Sequence, residues 1–337
     1  MIEKNLYIND SSSIDLYIVG YKSMGESIII NIDNQIVGVI DSYQNKTLFK
    51  TKDLIDTFGK KTLDFICWSH PDMDHTKGLS YLVDNYISKE TLFLIPEGIS
   101  AVEILSEIDY KKNVHHEFVK VLTSIREKIE DYNIVSVNHF SSIFRVNLID
   151  IESDRNAELA IEAFSPISSL VRELGIKNYS NVLQDKNLYK ENNVYSIGLS
   201  INLRLNGKIT KIILNSDIED NTIKKMNPNK TINIFNNANI FKIPHHSSKS
   251  TECLFVENIL TNIQHACTTS YKRHGLPDKE ILDKYCKISN GTIVSRTDLF
   301  EDEYGIIHYN IPILRHNIED IKVTYDGAAG KYEIEKE

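Results

Sequence analysis

Residues 69–75 read Ser-His-Pro-Asp-Met-Asp-His and place two histidines and two aspartates within six positions. The mostly apolar run 63–68 comes directly before them and predicts a buried strand. Apolar residues then recur with the spacing of one helix face, at positions 79, 82, 83 and 86. Because ligands bind at the carboxyl ends of strands in layered α/β proteins, this polar loop between a strand and a helix is where we expect a site.

The side chains of this loop are metal ligands by type. Imidazole nitrogen together with carboxylate oxygen suits Zn²⁺, Mn²⁺ or Fe²⁺. The nearby Cys67 belongs to the apolar strand, which argues against a purely structural zinc site. We therefore predict a catalytic metal site. The alternative is a solvated turn that holds two histidines without a metal.

The composition is that of an ordinary globular protein. The chain has 337 residues, of which 41% are hydrophobic and 25% are charged. No apolar run approaches the roughly 18 residues that cross a bilayer, and no signal sequence is evident, so we expect a cytoplasmic protein without a membrane segment. The cysteines lack CxxC spacing and are expected to be buried free thiols: Cys67, Cys253, Cys267 and Cys286.

The charge balance bears on the partners of the protein. A formal net charge of −9 argues against a broad binding surface for duplex nucleic acid, because such binding relies on lysine and arginine displacing counterions. A local basic patch stays open. Bound divalent cations would also invert the local field at a metal site.

The loop resembles the His-x-His-x-Asp-His signature of the metallo-β-lactamase fold superfamily, in the variant where an aspartate, here Asp72, replaces the second histidine. In its wider context the chain resembles the soluble hydrolase domain of the ComEC-type competence proteins. The resemblance covers roughly residues 14–310. It implies an α/β protein with the αββα sandwich of that superfamily, in which two mixed sheets are flanked by helices. We interpret residues 1–337 as a single domain of this kind.

Two further aspartates follow strand-like runs. Asp41 matches a family aspartate that supports the metal loop through hydrogen bonds without binding the metal; a simple turn aspartate is the alternative. Residues 215–217, Asn-Ser-Asp, resemble the family's Thr-Gly-Asp, whose aspartate bridges two metals, so the resemblance implies that Asp217 is a ligand. The alternative is an N-cap for a helix over 218–226.

Paired histidines end another predicted strand. Residues 243–249, Ile-Pro-His-His-Ser-Ser-Lys, resemble the family's Val-Pro-His-His-Gly-Ser-Lys, with Ser247 in place of glycine. One of His245 and His246 is expected to be a ligand and the other a proton donor or phosphate contact, and the sequence does not assign which. Lys249 lies beside them.

Residues 271–277, Tyr-Lys-Arg-His-Gly-Leu-Pro, resemble the family's Tyr-Gly-His-Pro segment, except that Leu276 stands where the histidine is expected. His274 lies two positions earlier, and the intervening Gly275 relaxes the backbone, so His274 could reach the same space as a proton donor. The alternative is a solvent-facing histidine. By motif position we expect Ser247, Lys249 and Arg273 to contact a substrate phosphate.

The rest of the chain is predicted from its periodicity. Residues 16–41 indicate a meander of short strands, and 199–205 alternate as a half-buried antiparallel strand does. Residues 99–131 indicate a helical insert. After about residue 312 we expect a strand and a charged tail without readable chemistry. Many superfamily members have a further ligand histidine in a third motif, and this sequence has none between His139 and His245. Three other histidines lie outside the motifs and are less expected as ligands: His115, His116 and His139.

The expected function is metal-dependent hydrolysis of a phosphodiester, as a phosphodiesterase or nuclease. A metal-bound hydroxide would be the nucleophile, and Asp74 is the best candidate to take the proton of the attacking water. One or two divalent ions, zinc or manganese, are expected. The alternatives are an inert interaction subunit of a multi-protein system and a hydrolase of another small ester. The expected ligands are His70, Asp72, Asp74, His75, Asp217 and one of His245 and His246.

Overall fold

The computed structural model describes residues 2–99, 116–128, 130, 133–153, 155–184, 191–289, 291–315 and 320–334. Within these ranges two mixed sheets form the centre of the molecule. The strands are β1 (Ile2–Ile8), β2 (Ser13–Tyr21), β3 (Glu26–Ile32), β4 (Ile36–Ile40), β5 (Phe65–Cys67), β6 (Leu92–Pro96), β7 (Asn133–Val137), β8 (Ser142–Asp150), β9 (Asn156–Ala163), β10 (Leu199–Leu205), β11 (Lys208–Leu214), β12 (Ala238–Lys242), β13 (Ile263–Thr268), β14 (Ile293–Arg296), β15 (Tyr304–Pro312), β16 (Lys322–Gly327) and β17 (Gly330–Tyr332).

Helices connect these strands and cover the outer faces of both sheets. The α-helices are α1 (Lys50–Thr57), α2 (Met73–Thr76), α3 (Leu79–Tyr86), α4 (His116–Glu127), α5 (Ser168–Leu183), α6 (Asp220–Lys225), α7 (Pro228–Phe235), α8 (Cys253–Val256) and α9 (Lys279–Cys286). Short 3₁₀ turns occur at Asn192–Tyr195, Pro244–Ser247, Lys249–Thr251 and Lys272–His274.

The sheets are mixed because hairpins and crossovers alternate along the chain. One sheet has the order β16-β15-β2-β3-β4-β5-β6-β7, and the other has the order β1-β8-β9-β10-β11-β12-β13-β14-β17. The predicted meander is confirmed as β2, β3 and β4, which pair antiparallel. Asp33 and Asn34 both have positive φ in the β3–β4 turn, as Asn206 and Gly207 do between β10 and β11, which is the geometry of tight hairpins.

Three apolar layers hold the sandwich together. Alternate residues of the strands, such as Leu16, Ile18, Leu159 and Ile201, form the core between the sheets. The opposite face of the eight-stranded sheet packs on α1, α3 and α4, and the opposite face of the nine-stranded sheet packs on α6, α7, α8 and α9. The predicted αββα sandwich is therefore confirmed, because each sheet buries one face on its partner and the other on helices.

The parallel strands set the location of the site. In the eight-stranded sheet β4, β5, β6 and β7 are parallel neighbours, and in the nine-stranded sheet β11, β12, β13 and β14 are parallel neighbours. The residues that follow β5, β11 and β12 carry the aspartates and histidines of the candidate site. The predicted helix after the loop is confirmed as α3, whose apolar positions 79, 82, 83 and 86 are all buried.

Strands near both ends of the described chain extend the sheets. β1, which the sequence interpretation did not place, pairs parallel with β8 at one edge of the nine-stranded sheet. Where one strand was expected after about residue 312, the structure has two: β16 pairs with β15 and β17 pairs with β14, so this segment extends both sheets. Of the predicted helical insert, α4 is confirmed, and residues 100–115, including His115, lie outside the described residues. The interpretation as one domain stays a prediction.

Two expectations about the surface and the thiols can be compared with the structure. Cys67, Cys253 and Cys267 are buried, Cys286 is half-buried, and all four are free thiols, as expected. Among the described residues no helix is both long and apolar enough to cross a membrane.

Candidate metal centre

The centre forms where loops from both sheets meet. The loop after β5 contributes Asp74 and His75, which lie in the single-turn helix α2. Asp217 follows β11, and His246 follows β12 in a 3₁₀ turn. These four side chains are buried, and each offers a ligand atom within 4.8 Å of the others. The structure thus brings together predicted ligands from three separate segments.

The distances within this cluster are too long for most of the pairs to be hydrogen bonds. The Nε2 atom of His75 lies 3.5 Å from Oδ2 of Asp74 and 3.5 Å from Oδ1 of Asp217. The Nε2 atom of His246 lies 3.1 Å from Oδ2 of Asp74 and 3.5 Å from Oδ2 of Asp217. Two nitrogens and two carboxylates therefore point at a common space.

His70 and Asp72 lie beside this cluster. The Nε2 atom of His70 is 3.8 Å from Oδ2 of Asp217 and 3.6 Å from Oδ2 of Asp72. Asp72 is half-buried, and its Oδ1 accepts a hydrogen bond of 2.7 Å from Nδ2 of Asn192. Oδ2 of Asp217 therefore lies near both His246 and His70, and Asp217 connects the His70–Asp72 pair to the rest of the cluster.

Asp41 lies behind the loop and accepts three hydrogen bonds. Its Oδ1 accepts from the Ser69 backbone N–H at 2.7 Å, and its Oδ2 accepts from Ser69 Oγ at 2.5 Å and from His75 Nδ1 at 2.7 Å. The proton of His75 therefore lies on Nδ1, and its Nε2 lone pair faces the cluster. This geometry agrees with the predicted supporting role of Asp41.

The hydrogen bonds around His70 also determine which of its ring nitrogens carries the proton. Ser216 Oγ donates to Ser69 Oγ at 2.7 Å, and Ser69 Oγ donates in turn to Asp41, so each hydroxyl has used its one hydrogen. The Nδ1 atom of His70 lies 3.0 Å from Ser69 Oγ and 3.2 Å from Ser216 Oγ, and it must be the donor. Its Nε2 lone pair is therefore also directed into the site.

Several polar atoms at the centre are buried without a hydrogen bond to any described residue. Buried polar atoms normally find a partner, so a group of orphaned acceptors indicates an ion or ligand. The five atoms that face the common space are Nε2 of His70, His75 and His246, Oδ2 of Asp74 and Oδ1 of Asp217. A divalent cation fits this donor set, because it would accept lone pairs from every one of them.

The charge balance of the site also favours a bound cation. Four carboxylates are buried around it, those of Glu26, Asp41, Asp74 and Asp217, whereas Lys242 is the one buried ammonium or guanidinium group among the described residues. Isolated buried charges are costly unless they are paired or bind a metal. With neutral histidines the site therefore carries an excess of negative charge that a divalent ion would offset.

The protonation equilibria of the histidines reflect this excess. Burial lowers the pKa of His75, but Asp217 and Asp74 raise it more, so it lies well above its ordinary value. For His246 the same opposition raises the pKa to about 9. Burial raises the pKa of Asp217, yet His246 and His75 lower it well below its ordinary value. The buried carboxylates therefore favour positive charge on the groups that face them.

His245 has a different environment from its neighbour. Its side chain is 21% exposed, against 1% for His246, and its Nε2 lies 4.0 Å from Oδ2 of Asp217. Its Nδ1 lies 3.0 Å from Oε1 of Glu219, which orients the ring. Burial lowers the pKa of His245, but Glu219 and Asp217 together raise it more, so the net pKa is raised. The geometry therefore distinguishes two histidines that the sequence could not.

The backbone at the paired histidines is strained. The φ angles of His245, His246 and Ser247 are 46°, 50° and 67°, in the left-handed region that residues with a Cβ rarely adopt. Each such residue costs on the order of 1–2 kcal/mol. Strain of this kind persists where the surroundings impose it, and it is concentrated at functional sites.

The predicted phosphate contacts lie at different depths. Ser247 is buried, and its Oγ makes no hydrogen bond to a described residue. Lys249 is exposed and pairs with Oε2 of Glu280 at 2.6 Å, so its charge is largely neutralised. Arg273 is exposed beside the turn at Lys272–His274. Their roles in substrate binding stay predictions.

An aromatic stack connects His274 to the centre. The ring of Tyr271 lies against His246 at a centroid distance of 5.5 Å, and His274 lies against the outer face of Tyr271 at 4.9 Å. His274 is exposed, and Tyr271 separates it from the ligand. The proton-donor role of His274 stays a prediction, and Tyr271 is the nearer of the two residues.

The competing interpretation of Asp217 as a helix cap can be compared with the structure. Helix α6 begins at Asp220, and its N-cap is Glu219, so Asp217 lies outside the helix. Of the other scattered histidines, His139 follows β7 with its ring against Phe140 and is not among the residues of the cluster, and His116 is the first residue of α4.

Sequence reasoning missed several polar residues that surround the ligands. A lysine within an apolar strand, Lys242 in β12, was the clearest available signal, because a buried lysine requires a partner. Its partner, Glu26, was assigned no role from the sequence. The remaining missed residues are Asn192, Ser216, Glu219, Thr269 and Tyr271.

A polar pocket of about 310 Å³ adjoins the centre. Asp72, which lies beside His70, and Glu219, which lies beside His245, both line this pocket. Its other described lining residues are Glu191, Asn192, Asn193, Val194 and Asn221. Carboxylates and carboxamides therefore form most of the described wall beside the cluster.

Comparisons with known proteins add little to this geometry. No protein-family model matches the chain, and no curated protein sequence matches it. Among solved structures it is similar to a protein of Parabacteroides distasonis described as a candidate metal-dependent hydrolase, with 12% identity, a TM-score of 0.40, and coverage of 83% of this chain and 93% of the other. Such a distant likeness carries no argument about function, and the resemblance to competence proteins stays a prediction. The αββα sandwich with its buried histidine–aspartate cluster fits a metallo-hydrolase fold.

Proposed function

We propose that the chain is a metal-dependent hydrolase that cleaves a small phosphodiester. The observation that carries the proposal is the convergence of Asp74, His75, Asp217 and His246 on one space, with orphaned ligand atoms facing it. His70 and Asp72 would complete a second group of ligands around Asp217. A divalent cation held there would lower the pKa of a coordinated water and stabilise charge that develops on a phosphoryl oxygen.

Asp74 is the residue we assign to accept the proton of the attacking water. Its Oδ2 is buried, faces the common space and has no hydrogen-bond donor among the described residues. A carboxylate in that position can take a proton as the new bond forms. Asp74 is held in this position by α2, which is a single helical turn between Asp72 and Lys77.

His245 is the residue we assign to protonate the leaving group. It lies at the edge of the centre with Nε2 turned towards Asp217, and Glu219 holds its Nδ1. Its pKa is raised, which favours the protonated form that a general acid needs. His246, which is fully buried, serves as the ligand in this proposal.

The acidic pocket beside the centre favours a small substrate over a nucleic acid. Asp72, Glu191 and Glu219 line it, and a polyanion would be repelled by these carboxylates. Lys249, a predicted phosphate contact, is already paired with Glu280. The oxygen-rich ligand set, with Asp72 in place of a histidine, is harder than a histidine-rich one and suits Mn²⁺ as well as Zn²⁺.

The proposal is tested with apoprotein that is reloaded with Zn²⁺, Mn²⁺ or Mg²⁺ one at a time. We expect stoichiometric metal binding and hydrolysis of bis(p-nitrophenyl) phosphate, with much slower cleavage of single- and double-stranded DNA. The Asp74→Asn variant keeps the shape of the side chain but cannot take the proton, and its metal content is measured beside its turnover because Asp74 is also an assigned ligand. Turnover of carboxylic esters or β-lactams without phosphodiester cleavage would contradict the substrate class, and efficient DNA cleavage would make the protein a nuclease.

A further inference from the structure

A buried ion pair lies directly behind the ligand His246. The Nζ atom of Lys242 is 2.8 Å from Oε2 of Glu26, and both side chains are essentially inaccessible to solvent. Glu26 begins β3 in one sheet, and Lys242 ends β12 in the other. At this distance the ammonium of Lys242 is the counter-ion of Glu26, and a carboxylate in such an ion pair is ionised and can only accept hydrogen bonds.

Thr269 connects this pair to the ligand. Its Oγ1 donates a hydrogen bond to Oε2 of Glu26. The same Oγ1 lies 2.9 Å from Nδ1 of His246. A hydroxyl has a single hydrogen, and an ionised carboxylate can only accept, so the hydrogen of Thr269 is committed to Glu26. The contact with His246 must then be a donation from Nδ1–H to the threonine oxygen.

The stability of the fold does not explain why these charges are buried. Removing two charges from water costs free energy that their attraction often fails to recover, and apolar residues of similar size serve a core as well or better. Here the pair is joined to a histidine whose Nε2 faces the centre. A hydrogen-bonding function at His246 therefore accounts for a feature that packing alone does not.

We propose that Lys242, Glu26 and Thr269 form a positioning relay that holds His246 with its proton on Nδ1 and its Nε2 lone pair directed at the metal space. Lys242 keeps Glu26 ionised, Glu26 takes the hydrogen of Thr269, and Thr269 takes the hydrogen of His246. The relay does for His246 what Asp41 does directly for His75. Partners of this kind orient a ligating imidazole and increase its basicity. The inference rests on the metal centre of the proposed function.

The direct test compares Thr269→Val with Thr269→Ser. Valine keeps the volume of threonine but cannot accept the hydrogen of His246, whereas serine keeps the hydroxyl. The probe is Zn²⁺ alone, and its dissociation constant is measured by competition with a chromophoric chelator. We expect Thr269→Val to weaken Zn²⁺ binding by about 10- to 100-fold, and Thr269→Ser to stay within about three-fold of wild type.

A second variant tests the ion pair itself. Glu26→Gln with Lys242→Met removes both charges together, so that neither is left buried alone. We expect it to lose Zn²⁺ affinity to a similar extent as Thr269→Val. Adding Thr269→Val to this double variant should cause little further loss, because residues of one relay act through the same hydrogen bond.

Two readouts separate this role from a structural one. The free energy of unfolding of each apoprotein is measured in urea, and the tautomer of His246 is read in the Zn²⁺-loaded protein from long-range ¹H–¹⁵N correlations of labelled histidine. Wild-type Zn²⁺ affinity in a folded Thr269→Val variant would overturn the relay. Failure of both Thr269→Val and the double variant to fold, with Thr269→Ser native, would also overturn it in favour of a structural network. If wild-type protein binds no Zn²⁺ at all, the proposed function fails instead.

Discussion

The Nε2 atom of His246 lies 3.1 Å from Oδ2 of Asp74. Asp74 belongs to the loop after β5 in the eight-stranded sheet, and His246 follows β12 in the nine-stranded sheet. The centre therefore joins the two sheets at the ends of their strands. A metal bound by both residues would cross-link the sandwich, so metal binding and stability should be coupled.

The first prediction concerns this coupling. We expect saturating Zn²⁺ to raise the thermal midpoint of unfolding, because a ligand that binds only the folded state stabilises it by about 2.7 kcal/mol at one hundred times its dissociation constant. Replacing Asp74 and His75 together by alanine should abolish both the stoichiometric metal and the thermal shift. The measurements are metal analysis and differential scanning calorimetry. Full metal content in that double variant would refute the ligand assignment.

The second prediction distinguishes the adjacent histidines. We expect His246→Ala to lose the metal, since His246 is buried within the cluster, and His245→Ala to keep it. The His245 variant should nevertheless lose roughly 10²-fold or more in turnover, as is typical when a general acid is removed. Metal stoichiometry and kcat are measured on the same preparations. The reverse pattern would exchange the two roles.

The sequence was sufficient to predict which residues form the cluster because each follows a recognisable strand. Asp74, Asp217 and His246 follow β5, β11 and β12, and strands of one sandwich bring their carboxyl ends together. The αββα architecture was expected from the resemblance to the metallo-β-lactamase fold superfamily, and the apolar runs and turns located individual strands. At these positions the local sequence pattern predicts the same location that the tertiary structure shows. A short motif was therefore informative.

The sequence was insufficient wherever a residue acquires its role from a distant partner. Glu26 and Lys242 pair across the two sheets, and no periodicity connects them. The different roles of His245 and His246 depend on consecutive left-handed backbone angles, which send neighbouring side chains in different directions. The sequence predicted one strand after about residue 312, but not that β16 and β17 extend two different sheets, because short exposed strands have a weak alternation and pair only through tertiary contact.

The third prediction gives the pH dependence. The pKa of His246 is raised to about 9 without a metal, so a proton occupies it below that pH and must be displaced by the cation. Metal affinity should therefore rise between about pH 6.5 and 9, by about ten-fold per pH unit for each proton displaced, and then level off. His75, whose pKa is also raised, contributes in the same direction.

The apoprotein should show the opposite trend. A group whose pKa is higher in the folded state than in the unfolded state stabilises the fold below its unfolded pKa, and this stabilisation is lost as the pH rises through the folded pKa. For His246 this window runs from about 6.5 to about 9. For metal binding, calorimetric titrations in buffers of different ionisation enthalpy measure the protons that are released. A metal affinity that is independent of pH would contradict the assignment of His246 as a ligand.

The fourth prediction concerns the strained turn. Ser247 has φ of 67°, and its buried hydroxyl makes no hydrogen bond to a described residue. Ser247→Gly should stabilise the apoprotein by about 0.5–1 kcal/mol, because glycine removes the left-handed penalty but costs some unfolded-state entropy. Ser247→Ala is the matched control, since it removes the hydroxyl and keeps the strain. Urea unfolding measures both. Equal loss of turnover in the two variants would show that the hydroxyl contacts substrate.

The last prediction concerns His274 and the stack that it forms with Tyr271. His274 is separated from the ligand His246 by the ring of Tyr271, at centroid distances of 4.9 Å and 5.5 Å. If His274 acts by packing on Tyr271, His274→Phe should keep turnover within about three-fold, because the ring is preserved, and His274→Ala should lose less than a general acid would, under about ten-fold. The metal content of both variants should equal that of wild type. The kcat values of wild type, His274→Phe and His274→Ala are compared on one phosphodiester. An equal loss of about 10²-fold in both variants would instead establish proton donation by His274, because phenylalanine restores the stack but carries no proton to give.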